Sequence, residues 1–315
     1  MASNDEKIIQ LLKNSFGTEI WGLLHEPDVN EIMVNPDGWL WAEKFGQGVE
    51  RTSIQMQADR VAQIIRLVAS ANDEVCNAAH PSIGAVLPGI NARFQGMIPP
   101  IVPSPAFSLR RRATRIYTLQ SYIDDGIMPY AFAKEIYEAV NSRQNILIVG
   151  GTGSGKTTLA NAILDVISST GDRIITIEDT AELQCSAPNH LPLYVRPTSG
   201  FDWQDAVKAS LRLRPDRIVV GEVRDGSALD LLKAWNTGHN GGCATIHANS
   251  ARRGLDRLES LIKEVSLSVP KELIAEAVNL VVHITRTGEG RRIDTVLRVM
   301  GATAEGYEVT PLALS

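Results

Sequence analysis

Apolar residues recur at helical spacing twice in the first third of the chain. Ile8, Ile9, Leu11, Leu12 and Phe16 predict an amphipathic helix over 5–16, and Val61, Ile64, Ile65 and Val68 predict a cleaner one over 58–71. Between them, two strand-like runs, 31–35 and 39–45, flank Pro36-Asp37-Gly38, a turn signal that predicts a hairpin. Six of the fifteen prolines lie between positions 81 and 105, which excludes long helices there and predicts short strands and loops. This part of the chain therefore reads as mixed α and β.

Beyond residue 130 the pattern becomes a regular alternation. Helices are predicted over 131–142, 156–168, 203–212 and 227–236, and strands over 145–149, 173–177, 217–221 and 242–246. Helical runs near 252–263 and 270–279 follow, then a hairpin between 293–300 and 307–312. Such alternation implies an α/β fold with a mostly parallel sheet covered by helices on both faces, and ligands at the carboxyl ends of its strands. A length of 315 residues fits two domains. The boundaries predicted are a mixed N-terminal domain over 1–115, a connector over 116–130 marked by Asp124-Asp125-Gly126 and Pro129, and a second domain over 131–315.

Composition narrows the class. With 44% apolar and 21% charged residues, the chain is neither disordered nor fibrous. Its apolar runs, such as Ile146-Leu147-Ile148-Val149, are far short of the roughly 18 residues that cross a bilayer. Its first residues lack the basic start and apolar stretch of a secretory signal, so a cytoplasmic protein is expected, with the N-terminal helix in a core rather than on a membrane surface. Cys76, Cys185 and Cys243 have no metal-site spacing and are expected as free, buried thiols. The net charge of −5 argues against a nucleic-acid binder. Locally, however, residues 75–123 contain no Asp or Glu while holding Arg93, Arg110, Arg111, Arg112 and Arg115, either a solvated basic edge or a surface facing an anion.

The sharpest chemical signal is Gly150-Gly151-Thr152-Gly153-Ser154-Gly155-Lys156-Thr157-Thr158, which satisfies G-x-x-x-x-G-K-[ST] between an apolar strand and a helix. Glycines let successive backbone N–H groups wrap phosphates, and the helix N-terminus adds partial positive charge. Lys156 is expected to reach the β- and γ-phosphates of ATP, and the Thr157 hydroxyl to ligate Mg2+. Two following strands end in acids: Glu178-Asp179 after 173–177, and Glu222 after 217–221, where Gly221 stands in place of the aspartate common in Walker B strands. Hydrolysis needs one carboxylate to orient or deprotonate water and another to hold the metal's water shell, and Glu178 and Glu222 are the candidates. Each is otherwise a capping or salt-bridging acid at a strand end.

Four stretches, GGTGSGKTT (150–158), IEDTAEL (177–183), LRLRPDRIVVGEVRD (211–225) and TGHNGGCATIHANS (237–250), together resemble the ATPases of type IV secretion and conjugation, above all the TrbB-like conjugal-transfer ATPases. The resemblance implies a RecA-like P-loop domain preceded by a smaller α+β domain. It makes the stretches a Walker A loop, an acidic "Asp box", an atypical Walker B strand ending Gly-Glu, and a "His box". It further implies Glu178 as catalytic acid or base, Glu222 as the metal- or water-positioning acid, and His247 as γ-phosphate sensor, with His239 an outside candidate; without it, His247 reads as a core histidine. Family members form hexameric rings, so a homo-oligomer is expected that serves an inner-membrane secretion or conjugation apparatus, with a peripheral place at that membrane. Arginines of the first domain or connector would neutralise the transferring phosphoryl group, Arg110 first and Arg115 second. Side chains alternate along a strand, so Arg111 should point away from Arg110.

The function expected is a magnesium-dependent ATPase motor. A nucleotide-gated adaptor with little hydrolysis, or a nucleic-acid motor of related fold, are the competing readings, the latter disfavoured by the acidic charge balance and the lack of a basic groove interleaved with aromatics.

Overall fold

The computed structural model describes residues 4–26, 28–44, 48–87, 92–111, 117–196, 199–268, 271–288 and 290–313. Arg112 and Arg115 lie outside the described residues. The chain divides into two compact units, Met1–Thr114 and Arg115–Ser315.

In the first unit, helix α1 (Asn4–Leu23) and helix α2 (Ala58–Ala71) accompany six strands: β1 (Val29–Val34), β2 (Trp39–Lys44), β3 (Gly48–Gln55), β4 (Ser82–Leu87), β5 (Ala92–Met97) and β6 (Ala106–Arg110). All pair antiparallel, in the order β3-β2-β1-β6-β5-β4. The predicted first helix runs on past residue 16 because its apolar face does: Leu12, Phe16, Ile20 and Leu24 repeat every fourth position and are all buried. Gly17, at φ 76°, bends the helix without interrupting that face. The predicted hairpin is β1–β2, closed by Gly38 N–H donating to the Asn35 carbonyl at 2.8 Å. In the core, Phe107 stacks on Phe94 at 5.3 Å and meets the edge of Phe16 at 5.9 Å.

The second unit is a three-layer α/β domain. Helices α3 (Leu119–Asp124) and α4 (Tyr130–Asn141) precede β7 (Ile146–Gly150), followed by α5 (Lys156–Ser168), β8 (Ile174–Glu178), β9 (His190–Tyr194), α6 (Trp203–Leu211), β10 (Arg217–Val220), α7 (Ala228–Asn236), β11 (Cys243–His247), α8 (Ala251–Ile262) and α9 (Lys271–Ala277). Strands β12 (Leu280–Thr287), β13 (Gly290–Thr303) and β14 (Gly306–Pro311) complete the sheet, ordered β14-β13-β12-β7-β11-β10-β8-β9. From β12 to β9 all neighbours are parallel, and β13 and β14 add an antiparallel edge. Strand residues alternate between two cores: Leu147 and Val149 pack with α6 to α9, and Ile146 and Ile148 with α3 to α5.

Three features were not predicted. The segment read as a connector carries α3, whose Leu119 and Tyr122, with Met128 beyond it, are buried in the second unit's core. Strand β9 contains Pro192, tolerated because β9 is the sheet edge. Strand β12, buried through Ile284, lies between β7 and β13.

At the amino end of β10, the Arg217 side chain is 2% exposed. Its guanidinium donates to the Val140 carbonyl at 3.0 Å, the Gly241 carbonyl at 2.9 Å and the Asp172 carboxylate at 2.6 Å, tying α4, the turn before β11 and the start of β8 together. Burial pushes the neighbouring Cys243 thiol up to about 12 against the pull of that guanidinium. Cys76 is also buried and Cys185 half-buried, all three as free thiols.

Candidate functional site

Strand β7 is buried along its whole length and delivers the glycine-rich loop at its carboxyl end, where α5 begins. Gly153 (φ 69°) and Gly155 (φ 101°) hold left-handed backbone, which glycine adopts without steric cost. A Cβ on Gly150 would lie 2.4 Å from the Ile284 carbonyl and 2.5 Å from Ser154 Oγ, so only glycine fits beneath the loop. Thr157 and Thr158 sit half-buried in the first turn of α5, and Thr152 is exposed at the loop's tip. Ser154 is buried, and its hydroxyl has no hydrogen-bond partner among the described residues. Such an orphan costs about 1–3 kcal/mol, which an anionic oxygen bound in the loop would relieve.

Lys156 is buried at 7% exposure, and its ammonium donates to the Gly151 carbonyl at 2.9 Å and to His247 Nδ1 at 3.1 Å. His247 Nε2, itself 3.4 Å from the Lys156 ammonium, lies 2.9 Å from Glu222 Oε1. In the neutral ring with its proton on Nε2, Nδ1 accepts from Lys156 and Nε2–H donates to Glu222. Partial burial, then the Lys156 charge, hold His247 below its ordinary pKa, against the attraction of Glu222. His247 is thus no core histidine: it ends β11 beside β7 and is exposed.

Glu222 follows β10 by two residues. Gly221 N–H donates to the Ile177 carbonyl at 2.8 Å, and Thr245 Oγ donates to the Gly221 carbonyl at 2.6 Å, so both neighbouring strands fix this turn. A Cβ on Gly221 would come 3.2 Å from Cβ of Glu178, so the aspartate usual at this position would press against that acid. Glu178 is 4% exposed, and its Oε2 accepts N–H bonds from Glu182 and Leu183 at 2.8 Å each. It braces the loop after β8, while Glu222 faces His247. Its neighbour Asp179 accepts from Arg224 at 2.7 Å, and Arg224 also grips Glu222. Arg224 and Asp179 lie inside the quoted motifs, yet nothing in their spacing marks them as partners.

The other candidates lie elsewhere. His239 holds the Pro215 carbonyl at 3.1 Å, just ahead of β10 and so at the end of the sheet away from the loop. Arg110 ends β6 in the first unit, exposed, in cross-strand register with Glu31 and Arg93. On its two neighbouring strands Arg110 thus faces one like charge, Arg93, and one opposite charge, Glu31. Arg111 turns back to donate to the Glu26 and Val29 carbonyls.

A family model described as Type II/IV secretion system protein matches residues 42–303. The chain belongs to the type II/IV secretion system protein family. Within it, the chain is 45% identical to the conjugal transfer protein TrbB of Rhizobium radiobacter, over 96% of this chain and 93% of that protein. The resemblance to type IV secretion and conjugal-transfer ATPases is thereby shown. The fold matches the X-ray structure of the Legionella pneumophila ATPase DotB (TM-score 0.62, 19% identity, 95% of this chain and 81% of that one). It matches the pilus retraction motor PilT with bound ADP equally well (TM-score 0.62, 19% identity, 93% and 81%). A RecA-like domain with a smaller α+β N-terminal domain is the architecture this chain shares with these structures. No helix among the described residues is long and apolar enough to cross a membrane.

Proposed function

We propose that the chain hydrolyses ATP, and that turnover within a homo-oligomeric, hexameric ring drives a type IV secretion or conjugative transfer apparatus from the cytoplasmic face of the inner membrane. The observation that carries this reading is the buried Lys156 ammonium, set in a complete phosphate loop and joined through His247 to Glu222. An arriving phosphate competes for Lys156 with the Gly151 carbonyl and the His247 imidazole, and displacement of the ammonium is felt at the acid beyond.

Among the described residues no group of three or more His, Cys, Asp or Glu could hold a metal alone. That fits Mg2+, which keeps most of its waters and takes one or two protein ligands beside the phosphates. Thr157 and Glu222 are the donors proposed to hold it, and the ion would supply charge neutralisation on the β- and γ-oxygens. Glu222 orients the attacking water. Glu178, whose Oε2 accepts from two loop amides, is the catalytic acid or base. Arg110, and Arg115 in the segment beyond it, are proposed to offset charge on the transferring phosphoryl group.

The test is phosphate release by the full chain beside Lys156→Ala and Glu178→Gln. Turnover lost in both variants supports the motor reading, and equal rates in all three overturn the site. Nucleotide binding without turnover in the wild type would leave the gated adaptor. Turnover stimulated by DNA, with DNA affinity falling steeply with salt, would favour a nucleic-acid motor.

A further inference from the structure

The Arg224 side chain lies on the irregular segment after β10, 40% exposed, and does more than neutralise one acid. Its Nε and Nη2 both donate to Glu222 Oε2, at 2.8 and 2.6 Å, and its Nη1 donates to Asp179 Oδ2 at 2.7 Å. The two acids belong to different loops, one after β10 and one after β8, and nothing in the strand ladders sets the direction of either side chain. Resting on the proposed hydrolytic role of this site, we infer that Arg224 is a positioning residue for the reaction. It fixes the Glu222 carboxylate from the side opposite His247 and locks it to the Asp179 loop.

At this exposure an ion pair adds little to stability, so its effect belongs to geometry. Glutamate has three side-chain torsions, and a carboxylate that must aim a water in line with a phosphorus tolerates little rotation. Glu222 is held at both oxygens, by His247 on Oε1 and by two Arg224 N–H groups on Oε2, which leaves a lone pair on Oε1 for water. Arginine is required because its planar fork places three N–H groups on two carboxylates together. A lysine would present one compact charge and could not hold both in fixed directions. The Asp179 anchor keeps the fork from swinging with Glu222. Asp179 is itself tied to the strand end that follows β9, since Arg196 donates to its carbonyl at 2.8 Å. The loop after β8 is thereby linked through Arg224 to the acid that follows β10.

The test uses the full chain and compares wild type with Arg224→Ala, Arg224→Lys, Asp179→Asn and Lys156→Ala. Steady-state ATP hydrolysis is read together with affinity for a fluorescent ATP analogue and thermal melting. Misplacing a reacting group by about 1 Å costs on the order of 10²-fold, so Arg224→Ala should lose roughly that much kcat while analogue affinity changes less than about threefold. Arg224→Lys and Asp179→Asn should fall between, with melting temperatures near that of wild type. If Arg224→Ala or, should that variant not fold, Arg224→Lys keeps wild-type kcat while Lys156→Ala is dead, the inference falls and the hydrolase reading stands. A wild type without turnover overturns both. Equal losses of affinity and kcat in the Arg224 variants would make Arg224 a binding or merely structural residue, and would also overturn the inference.

Discussion

Replacing Arg217 by methionine keeps most of the side-chain volume and removes the guanidinium from a place that is almost wholly buried. Three bonds go with it: one to the Asp172 carboxylate and one each to the Val140 and Gly241 carbonyls. The Asp172 side chain, 12% exposed, keeps a pairing with Arg143 and a hydroxyl bond from Thr170 at 2.9 Å, so its charge is not stranded. Breaking a buried pair by removing one partner costs about 3–5 kcal/mol, and the surviving Arg143 pairing sets the expectation at about 3–4 kcal/mol. In a unit of this size, 115–315, each kcal/mol moves the melting point by roughly 2–4 °C, giving a fall of about 6–16 °C. Urea unfolding and calorimetry of Arg217→Met, Asp172→Asn and the double variant supply the assay. The double variant should be more stable than the sum of the two single losses by at least about 1 kcal/mol, because either single change already removes the interaction the two side chains share. Arg217 opens β10 at the end remote from Glu222, so nucleotide affinity of the folded variant should remain within about twofold of wild type. A loss under about 1 kcal/mol, or strict additivity, would refute the claim that this arginine clamps the sheet's amino end.

Further expectations follow from single residues. Gly221→Asp, which restores the usual Walker B acid, should depress turnover by at least about tenfold, because its Cβ crowds Glu178 and its charge lies beside another carboxylate; wild-type turnover in that variant would disprove the steric reason for glycine. Burial pushes the Asp172 carboxyl up, but bonds from Arg217 and Thr170 and the Arg217 and Arg143 charges outweigh it and hold the group below its ordinary value. The unfolded chain then binds the extra proton first, so this group's stabilisation is complete above about pH 4 and lost as pH falls through the folded value; an acid-unfolding curve of Asp172→Asn that matches wild type in slope would count against it. Lys156 helps keep His247 below its ordinary pKa, so a bound ATP analogue that draws the ammonium away should raise the His247 titration midpoint in NMR; a midpoint that stays put would break the proposed coupling.

The local parts of this molecule were legible. The phosphate loop announces itself because strand, glycines and lysine are contiguous, and β7 and α5 fall where the pattern puts them. Apart from β9, the predicted rhythm of strands and helices held through β11 because each element carries its own period. What failed was context. Leu280 to Ile284, apart from His283, is an unbroken apolar run whose periodicity does not separate strand from buried helix, and only its pairing with β7 and β13 makes it β12. Pro192 hides β9 until its edge position is known. Gly17 looks like a helix end, yet the apolar face carries α1 past it. At the site, Lys156, Glu222 and His247 were named from motifs and are brought together. The grip of Arg224 on two acids was not legible, because it depends on which strand ends are neighbours, and β8, β10 and β11 are separated by long stretches of sequence.

Cys243 opens the same strand that His247 closes, and its sulfur is sealed on the α3-to-α5 side of the sheet. A thiol so protonated and so enclosed is unreactive toward alkylating agents until the strand itself detaches. The wild-type chain therefore carries a built-in clock: the rate at which iodoacetamide labels this sulfur times the opening of β11, and slowing of that rate by nucleotide would show, with no substitution made, how firmly a filled loop shuts the sheet around it.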